Sequence, residues 1–148
     1  MMDIIKVNEE SIDNHQLINW LSELPQDGAI VTFMGKVRCF EKQTLSLYLE
    51  HYAEMAEKVL ANIIVNARKR WQLSRVVVIH RVGEINANEQ IVFVGVSSAH
   101  RADSFAAAEF IMDILKNEAP FWKKERTIDG DSWIEAKKTD VDALKKWN

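Results

Sequence analysis

The segment His100–Glu125, HRADSFAAAEFIMDILKNEAPFWKKE, contains a helix with an apolar face and the start of the strand that follows it. Its apolar side chains recur at helical spacing, which predicts that this face is buried. They are Phe105, Ala108, Ile111, Met112 and Leu115. Asp103 or Ser104 is expected to cap the start of the helix, and Pro120 cannot continue it. The segment therefore predicts a core helix followed at once by a strand.

Cationic residues cluster at both ends of this helix. His100 and Arg101 stand at its start, where free backbone amides and the helix dipole favour an anion. Lys116 lies in the last turn, and Lys123 and Glu125 share one face of the following strand because strand side chains alternate. Lys116 and Lys123 are therefore expected to approach each other. This arrangement predicts an anionic ligand.

Length and composition indicate one domain with a hydrophobic core. With 148 residues, 47% of them hydrophobic, the chain is too short for two full domains, so residues 1–148 are expected to form a single domain. Nineteen basic and 22 acidic residues give a formal charge of -3, which argues against a nucleic-acid partner, since that role needs a positive surplus. The polar stretch 138–148 is expected to form a short helix or a mobile arm.

The N-terminal sequence MMDIIKVNEE lacks the basic start and the apolar run of a secretory signal, and no later stretch reaches the length of a membrane span. A cytoplasmic protein without a membrane partner is expected. Cys39 is the single cysteine, which excludes an internal disulfide, and it is interpreted as a bystander thiol. The four histidines are too widely spaced for the usual zinc patterns, so no metal or other cofactor is expected.

Hydrophobic periodicity places strands and helices along the rest of the chain. Strands are predicted at residues 3–7, 28–38, 45–52, 75–85, 90–99, 121–128 and 132–136, and helices at about 15–24 and 53–71. Polar and turn-forming residues between neighbouring strands predict hairpins over 28–52, 75–99 and 121–136. The resulting order, β-α-β-β-α-β-β-α-β-β, predicts an α+β fold with mostly antiparallel sheet.

Lys116 and Lys123 are either solvated surface lysines or an active-site pair. Lys124, Arg126 and two aromatic residues lie close to Lys123 in the sequence, and crowded cations lower the pKa of their neighbours. A lysine normally titrates near ~10.4 and would have to titrate at roughly 7 to 8 to act well as a base. The sequence predicts the crowding but not the size of the pKa shift.

Three further side chains are candidates for the site or its surroundings. Lys36 and Arg38 alternate onto one face at a strand end, where they are either an ordinary charged terminus or a phosphate contact, to which arginine brings bidentate bonds. His80 lies within an apolar strand and is interpreted as a hydrogen-bonded core or interface residue rather than a ligand.

The two ends of the helix are too far apart to serve one small ligand. Arg101 and Lys116 are separated by fifteen helical steps, which is roughly 22 Å at about 1.5 Å per residue. If both clusters bind the same molecule, His100 and Arg101 must come from a second subunit across a two-fold axis. The spacing therefore predicts a homodimer with composite sites.

The sequence resembles the large, catalytic subunit of molybdopterin synthase over most of its length. The resemblance is carried, in order, by GAIVTFMGKVR, LEHY, VVVIHRVGEI, IVFVGVSSAHRADSF, FIMDILKNEAPFWKKE and DGDSWIEA. It implies an α/β hammerhead-type fold with additional antiparallel β-sheet. It also implies a central homodimer that binds a small ubiquitin-like subunit at each end, giving a heterotetramer.

The activity implied by the resemblance is sulfur transfer in molybdenum cofactor biosynthesis. The small subunit's C-terminal Gly-Gly thiocarboxylate would deliver sulfur to cyclic pyranopterin monophosphate, and two transfers would form the dithiolene of molybdopterin. Lys116 and Lys123 would be the catalytic residues. The substrate contacts implied by the family motifs are Lys36, Val37, Arg38, His100, Arg101, Lys124 and Glu125. The loop from Cys39 to Thr44 departs from the family pattern.

Two other classes of function remain open at this point. One is a noncatalytic subunit that binds an anion or takes part in assembly. The other is an enzyme that forms a Schiff base between a lysine and a small phosphorylated carbonyl compound.

Overall fold

The computed structural model describes residues 2–39, 43–135 and 137–148. The strands are β1 Asp3–Asn8, β2 Ala29–Lys36, β3 Thr44–His51, β4 Val76–Arg81, β5 Gly83–Asn86, β6 Gln90–Ser98, β7 Phe121–Thr127 and β8 Gly130–Ile134. The helices are α1 Asn14–Leu21, α2 Ala53–Arg70, α3 Arg101–Glu118 and α4 Lys138–Ala143, followed by a 3-10 turn, Leu144–Trp147. Among the described residues, no helix is both long and apolar enough to span a bilayer.

The strands form two four-stranded sheets. The first has the order β1-β4-β6-β2 and the second the order β5-β3-β7-β8. Only β1 and β4 pair in parallel; the other strand pairs are antiparallel in the described part of the chain. The predicted α+β fold with mostly antiparallel sheet is confirmed.

The central strand β4 is buried on both faces of the first sheet. Val76 and Val78 face the main core, which includes apolar residues of α2 and α3. Val77 and Ile79 face the opposite side, where they pack with residues of α1 and with Phe93. Cover on both faces explains why this strand is a continuous apolar run rather than an alternating one.

The predicted hairpin over 28–52 is wrong, because its two strands belong to different sheets. β2 pairs with β6, and β3 pairs with β5 and β7. Val37 lies between them with its side chain buried, its N–H donating to Glu89 O and its C=O accepting from Asn88 N. These bonds hold the chain at the point where it passes between the sheets. Residues 40–42 of the predicted polar loop lie outside the described residues.

The strand predicted at 75–85 is divided by a bend. Gly83 has φ +77°, a left-handed conformation that favours glycine, and a Cβ there would lie 2.3 Å from the Glu9 carboxylate. The residues before the bend, β4, pair with β6 as predicted, whereas those after it, β5, join the second sheet. One apolar run in the sequence therefore supplies a strand to each sheet.

Three details of the helix predictions are also corrected. α3 begins at Arg101 with His100 as its N-cap, so the predicted caps Asp103 and Ser104 both lie inside the helix. Ser104 is buried, and its hydroxyl contacts Ser98 Oγ at 2.5 Å. Phe105 is 62% exposed, so it is not part of the core face that its spacing indicated. The first helix ends at Leu21, earlier than the predicted limit of 24.

The C-terminal residues form α4 and the 3-10 turn, the helical alternative for this stretch. Trp147 packs edge-on against Trp71 and Phe110, with ring centroids 5.6 and 5.4 Å away. Its indole N–H donates to Asp113 Oδ2 at 2.8 Å. These contacts attach the end of the chain to α3 and bring the residues just before α4 close to the C-terminal end of that helix. Ala136, at the end of the predicted last strand, lies outside the described residues.

Candidate active site

A cavity opens between the two sheets at the C-terminal end of α3. Its inner part has a volume of about 440 Å³. It is lined by Phe33, Met34, Gly35, Lys36, Arg38, Leu47, His80, Ile91, Val92, Met112, Leu115, Lys116, Ala119, Phe121, Lys123 and Lys137. A wider outer part of about 590 Å³ shares several of these residues and adds Asn117, Glu125, Ile134, Glu135 and Asp140. We call these two parts the inner and the outer cavity.

Cations from separate parts of the fold converge on this cavity. Those that line both parts are Lys36, Arg38, Lys116, Lys123 and Lys137. The acidic residues lie only along the outer cavity, so the described lining of the inner cavity carries no carboxylate. The inner cavity is therefore a positively charged pocket with apolar walls, which suits a compact anion attached to an apolar or aromatic body.

Lys123 is the cation whose environment is most unusual. The pKa of its ammonium group is lowered to about 8, chiefly by burial and next by the positive charge of Lys116. Lys137 acts in the same direction, whereas the carboxylate of Asp140 raises the pKa of Lys123. A fraction of this lysine is therefore a neutral amine near pH 7, able to accept a proton or attack an electrophile. The predicted meeting of Lys116 and Lys123 is borne out.

Strand geometry fixes what Lys123 and its neighbours face. β7 pairs with β3 on one side and with β8 on the other, so its backbone is held along its length. Lys123 and Glu125 both line the outer cavity, as the alternation predicted. The Glu125 carboxylate accepts a hydrogen bond from Thr44 Oγ1 at 3.3 Å. Lys124 faces away and lies over the rings of Tyr48 and Trp133.

The end of β2 supplies the other predicted cations. Lys36 and Arg38 both line the cavity, as expected for side chains on one face. The Lys36 ammonium donates to Asn88 Oδ1 at 2.6 Å. The side chain of Val37, between them, is buried in the core, and its backbone is hydrogen-bonded to the turn before β6.

Four of the predicted site residues are not in this cavity. Val37 is buried in the core, and Lys124 lies on the opposite face of β7. His100 and Arg101 are exposed at the far end of α3, separated from Lys116 by the length of that helix. Within one chain the structure therefore brings together Lys36, Arg38, Lys116, Lys123 and Glu125, and leaves the helix N-terminus apart.

The cavity also includes residues that the sequence did not indicate. Lys137 lies directly before the polar stretch 138–148 and was not a predicted site residue. The packing of Trp147 and the hydrogen bond from Asn117 Nδ2 to Asp140 O bring this part of the chain back to α3. Phe33, Met34 and Phe121 form apolar walls. His80 was interpreted as a core residue, and it is both buried and part of the cavity wall. The position of Lys137 directly after a predicted strand could have indicated a site residue, but many surface lysines stand at similar positions.

Comparison with known proteins assigns this architecture to a family. The family model described as MoaE protein matches residues 7–118. The chain belongs to the MoaE family. Relatives named molybdopterin synthase catalytic subunit include that of Pasteurella multocida, 52% identical over 150 residues that cover 99% of this chain and 100% of the relative. The Escherichia coli relative of the same name is 55% identical over 130 residues, covering 86% of this chain and 87% of the relative.

Solved structures of the MoaE family have the same fold. The Burkholderia ambifaria MoaE protein superimposes with a TM-score of 0.84 at 41% identity, covering 99% of this chain and 98% of that one. The molybdopterin synthase of Staphylococcus aureus gives a TM-score of 0.81 at 33% identity, covering 87% and 95% of the two chains. The family recognised from the sequence, the fold class and the enzyme class, a sulfurtransferase, are thereby confirmed.

The buried ammonium of Lys123 predicts a conflict between stability and activity. Lys123→Met keeps an unbranched side chain and removes the charge, so we expect a higher free energy of unfolding at pH 7, by about 1–3 kcal/mol. The pKa of Lys123 is lower in the folded than in the unfolded chain. The wild type therefore regains stability as pH rises through about 8 toward the unfolded value, and its difference from the variant narrows.

Urea unfolding of both proteins at pH 7 and at pH 9.5 measures this difference. Lys124→Met is the matched control, since Lys124 is the next residue of the strand and lies over two aromatic rings outside the cavity. We expect that control to be unchanged or slightly less stable. A Lys123→Met protein less stable than wild type at pH 7 would show that the ammonium is not held at an energetic cost.

Proposed function

We propose that the inner cavity is the place of sulfur transfer, where a thiocarboxylate of a small ubiquitin-like subunit reacts with cyclic pyranopterin monophosphate. The observation that carries this proposal is the partly neutral Lys123 beside Lys116, in a pocket whose other polar side chains are mainly cations. Both reactants are anions, and the pocket has the size of a small-molecule site.

The two lysines have different roles in this proposal. After the thiocarboxylate sulfur has added to the pterin, water must cleave the acyl–sulfur bond, which leaves the sulfur on the pterin and returns a carboxylate on the small subunit. Lys123, neutral in part near pH 7, accepts the proton of that water or holds a covalent intermediate. Lys116, which is exposed at the cavity wall, stabilises the negative charge that develops during the transfer. Lys36 and Arg38 bind the phosphate, for which the arginine fork is well suited.

The outer cavity is the proposed entrance for the small subunit's C-terminus. It is wider than the inner cavity and continuous with it through shared lining residues. A Gly-Gly tail has no side chains, so it can pass along the outer cavity, whose lining includes Asn117 and Glu125, on the way to the lysines.

A homodimer accounts for His100 and Arg101, which the cavity of one chain does not include. β2 is an edge strand of the first sheet and exposes Ile30, Phe33 and Met34. An apolar edge of this kind favours pairing with another strand. The start of β2 lies beside the start of α3, since Ser104 Oγ donates to Ala29 O at 3.4 Å, whereas its end lines the cavity.

Antiparallel pairing of two β2 edges would therefore exchange the helix ends between copies. The start of β2 in a second copy would meet the end of β2 in the first, and the second copy's His100 and Arg101 would approach the first copy's cavity. The resulting composite site would add an arginine to the phosphate contacts. A heterotetramer with one small subunit at each end, a single domain over residues 1–148 and a cytoplasmic location complete the proposal and stay predictions.

The test of the proposal is product formation by the reconstituted enzyme. With a thiocarboxylated small subunit and cyclic pyranopterin monophosphate, the wild-type chain should form the dithiolene, and Lys116→Ala or Lys123→Ala should lower the rate by at least about 100-fold. Lys69→Ala, on the exposed face of α2, is the control. Size-exclusion chromatography checks that each variant still assembles.

The outcomes separate the three classes of function. Substrate binding without product in the wild type would favour a noncatalytic anion-binding subunit. Borohydride trapping of a phosphorylated carbonyl compound on Lys123, without any protein partner, would favour a Schiff-base enzyme. Wild-type rates in both lysine variants would remove the proposed catalytic pair.

The proposed role of Lys123 predicts how the reaction rate depends on pH. Substitution of a neighbouring cation and of a neighbouring carboxylate should shift this dependence in opposite directions. The rate should rise with pH and level off above the pKa of Lys123, about 8. Lys137→Gln removes a charge that lowers this pKa, so its profile should move to higher pH. Asp140→Asn removes a charge that raises the pKa, so its profile should move to lower pH. Lys138→Gln, beside Lys137 but outside the cavity, is the control, and movement of both test profiles in one direction would contradict the assignment.

Mixed dimers test the composite site. Lys116→Ala and Arg101→Ala proteins should each be inactive, whereas a mixture after subunit exchange should recover about a quarter of the wild-type rate, because half of the dimers carry one intact site of two. Mass spectrometry with one protein isotope-labelled confirms the exchange. Full exchange without recovered activity would show that both residues act in the same chain or that Arg101 acts elsewhere.

A further inference from the structure

His80 is a buried polar side chain in the wall of the inner cavity, and the proposed transfer does not use it. It lies on β4, on the same face as Val76 and Val78, and is 4% exposed. Its ring packs against Phe121, with centroids 4.4 Å apart. The packing fixes the plane of the imidazole, so the direction in which each ring nitrogen points is also fixed.

One hydrogen bond determines which nitrogen carries the proton. His80 Nδ1 lies 2.7 Å from the carbonyl oxygen of Arg81. A carbonyl oxygen can only accept, so Nδ1 must be the N–H of the ring. In a neutral imidazole the other nitrogen, Nε2, then has a free lone pair and can only accept. Among the described residues, no protein group donates a hydrogen bond to Nε2.

The surroundings keep this imidazole neutral. The pKa of His80 is lowered to about 4, mainly by burial. The bond to Arg81 raises the pKa, and the charges of Lys123 and Lys116 contribute to lowering it. At neutral pH the ring therefore presents an acceptor, not a second donor, to the cavity.

The rest of the described inner-cavity lining lacks such an acceptor. Its other side chains are lysine, arginine and apolar groups, and the charged forms of lysine and arginine only donate. The thioethers of Met34 and Met112 are weak acceptors. An anion satisfies the cations, but a ligand that also carries N–H groups needs a partner for them, because an unpaired buried donor costs about 1–3 kcal/mol. Apart from the minor neutral fraction of Lys123, His80 Nε2 is the one strong side-chain acceptor in the described lining of the inner cavity.

We propose that His80 determines specificity in the inner cavity by accepting, at Nε2, a hydrogen bond from an N–H group of a phosphorylated nitrogen heterocycle. The cations bind the phosphate, and His80 distinguishes a heterocycle with a ring or exocyclic N–H from a phosphorylated compound without one. This inference rests on the proposed function, since it concerns the pterin that the cavity would bind.

Two substitutions separate the acceptor from the rest of the ring. His80→Asn places an amide N–H near the position of Nδ1, which preserves the bond to Arg81 O and removes the acceptor at Nε2. His80→Gln reaches further and places an amide oxygen near the position of Nε2. Both variants lose the aromatic contact with Phe121, so that loss is common to the pair. Thermal unfolding monitors whether each variant folds.

Binding of two probes gives the readout. By calorimetry at pH 7, we expect His80→Asn to weaken the binding of cyclic pyranopterin monophosphate about tenfold, and His80→Gln to weaken it much less. The affinity for inorganic phosphate, which has no N–H group, should be the same in all three proteins. With the small subunit present, His80→Asn should raise KM and leave kcat near the wild-type value.

Nitrogen NMR of the wild type gives a second test that requires no variant. With labelled histidine, of which the chain has four, the Nε2 resonance of His80 should move when the pterin is added and stay in place with inorganic phosphate. Unchanged pterin affinity in His80→Asn, an equal loss of phosphate affinity, or an Nε2 resonance unmoved by the pterin would overturn the inference. Pterin binding by the wild type without product would instead refute the proposed transfer and leave the role of His80 intact.

Discussion

The ammonium group of Lys123 lies inside a cavity beside other cations, and the fold must supply the energy that keeps it there. Its lowered pKa measures that cost, because the protonated form is less stable in the cavity than in water. The energy comes from burial of the valine-rich strands β4 and β6 under α2 and α3. Pairing of β7 on both sides prevents the backbone of Lys123 from moving the side chain out to solvent. The site thus contains an electrostatically unfavourable charge that the rest of the well-packed fold stabilises.

The cations that surround this lysine come from elements far apart in the sequence. Lys36 is the last residue of the edge strand β2, Lys116 lies in the last turn of α3, and Lys137 directly precedes α4. An anion relieves their mutual repulsion, so the cluster of cations favours anion binding in the cavity. The proposed catalysis depends on that binding. His80 complements them, because it is a neutral acceptor among side chains that are mostly cationic or apolar. In the proposed function the sulfur donor is carried by another protein, so the single cysteine of this chain needs no role in the chemistry.

Local patterns in the sequence were sufficient for most elements of the fold. The helical spacing in α2 and α3 and the apolar runs of β4 and β6 are properties of neighbouring residues, and they were predicted within a few positions. The hairpin assigned to 28–52 failed because strand pairing is a long-range property: both strands pair with partners that are distant in the sequence. The bend at Gly83 was missed because a single glycine within the run RVVVIHRVGEI does not show which sheet the residues on each side of it will join.

The sequence by itself determined helix α3, the strand β7 that follows it, the face shared by Lys123 and Glu125, and the family to which the chain belongs. It also determined that the two ends of α3 are too far apart for one small ligand, since the rise of a helix is fixed. Only the tertiary structure decided which charges are buried, because burial depends on which strands pair and which helices cover them. For the same reason, only the tertiary structure showed that Lys137 lines the cavity and that Val37 and Lys124 do not. It also placed His80 in the wall of a pocket of cations, with no donor to its Nε2 among the described residues.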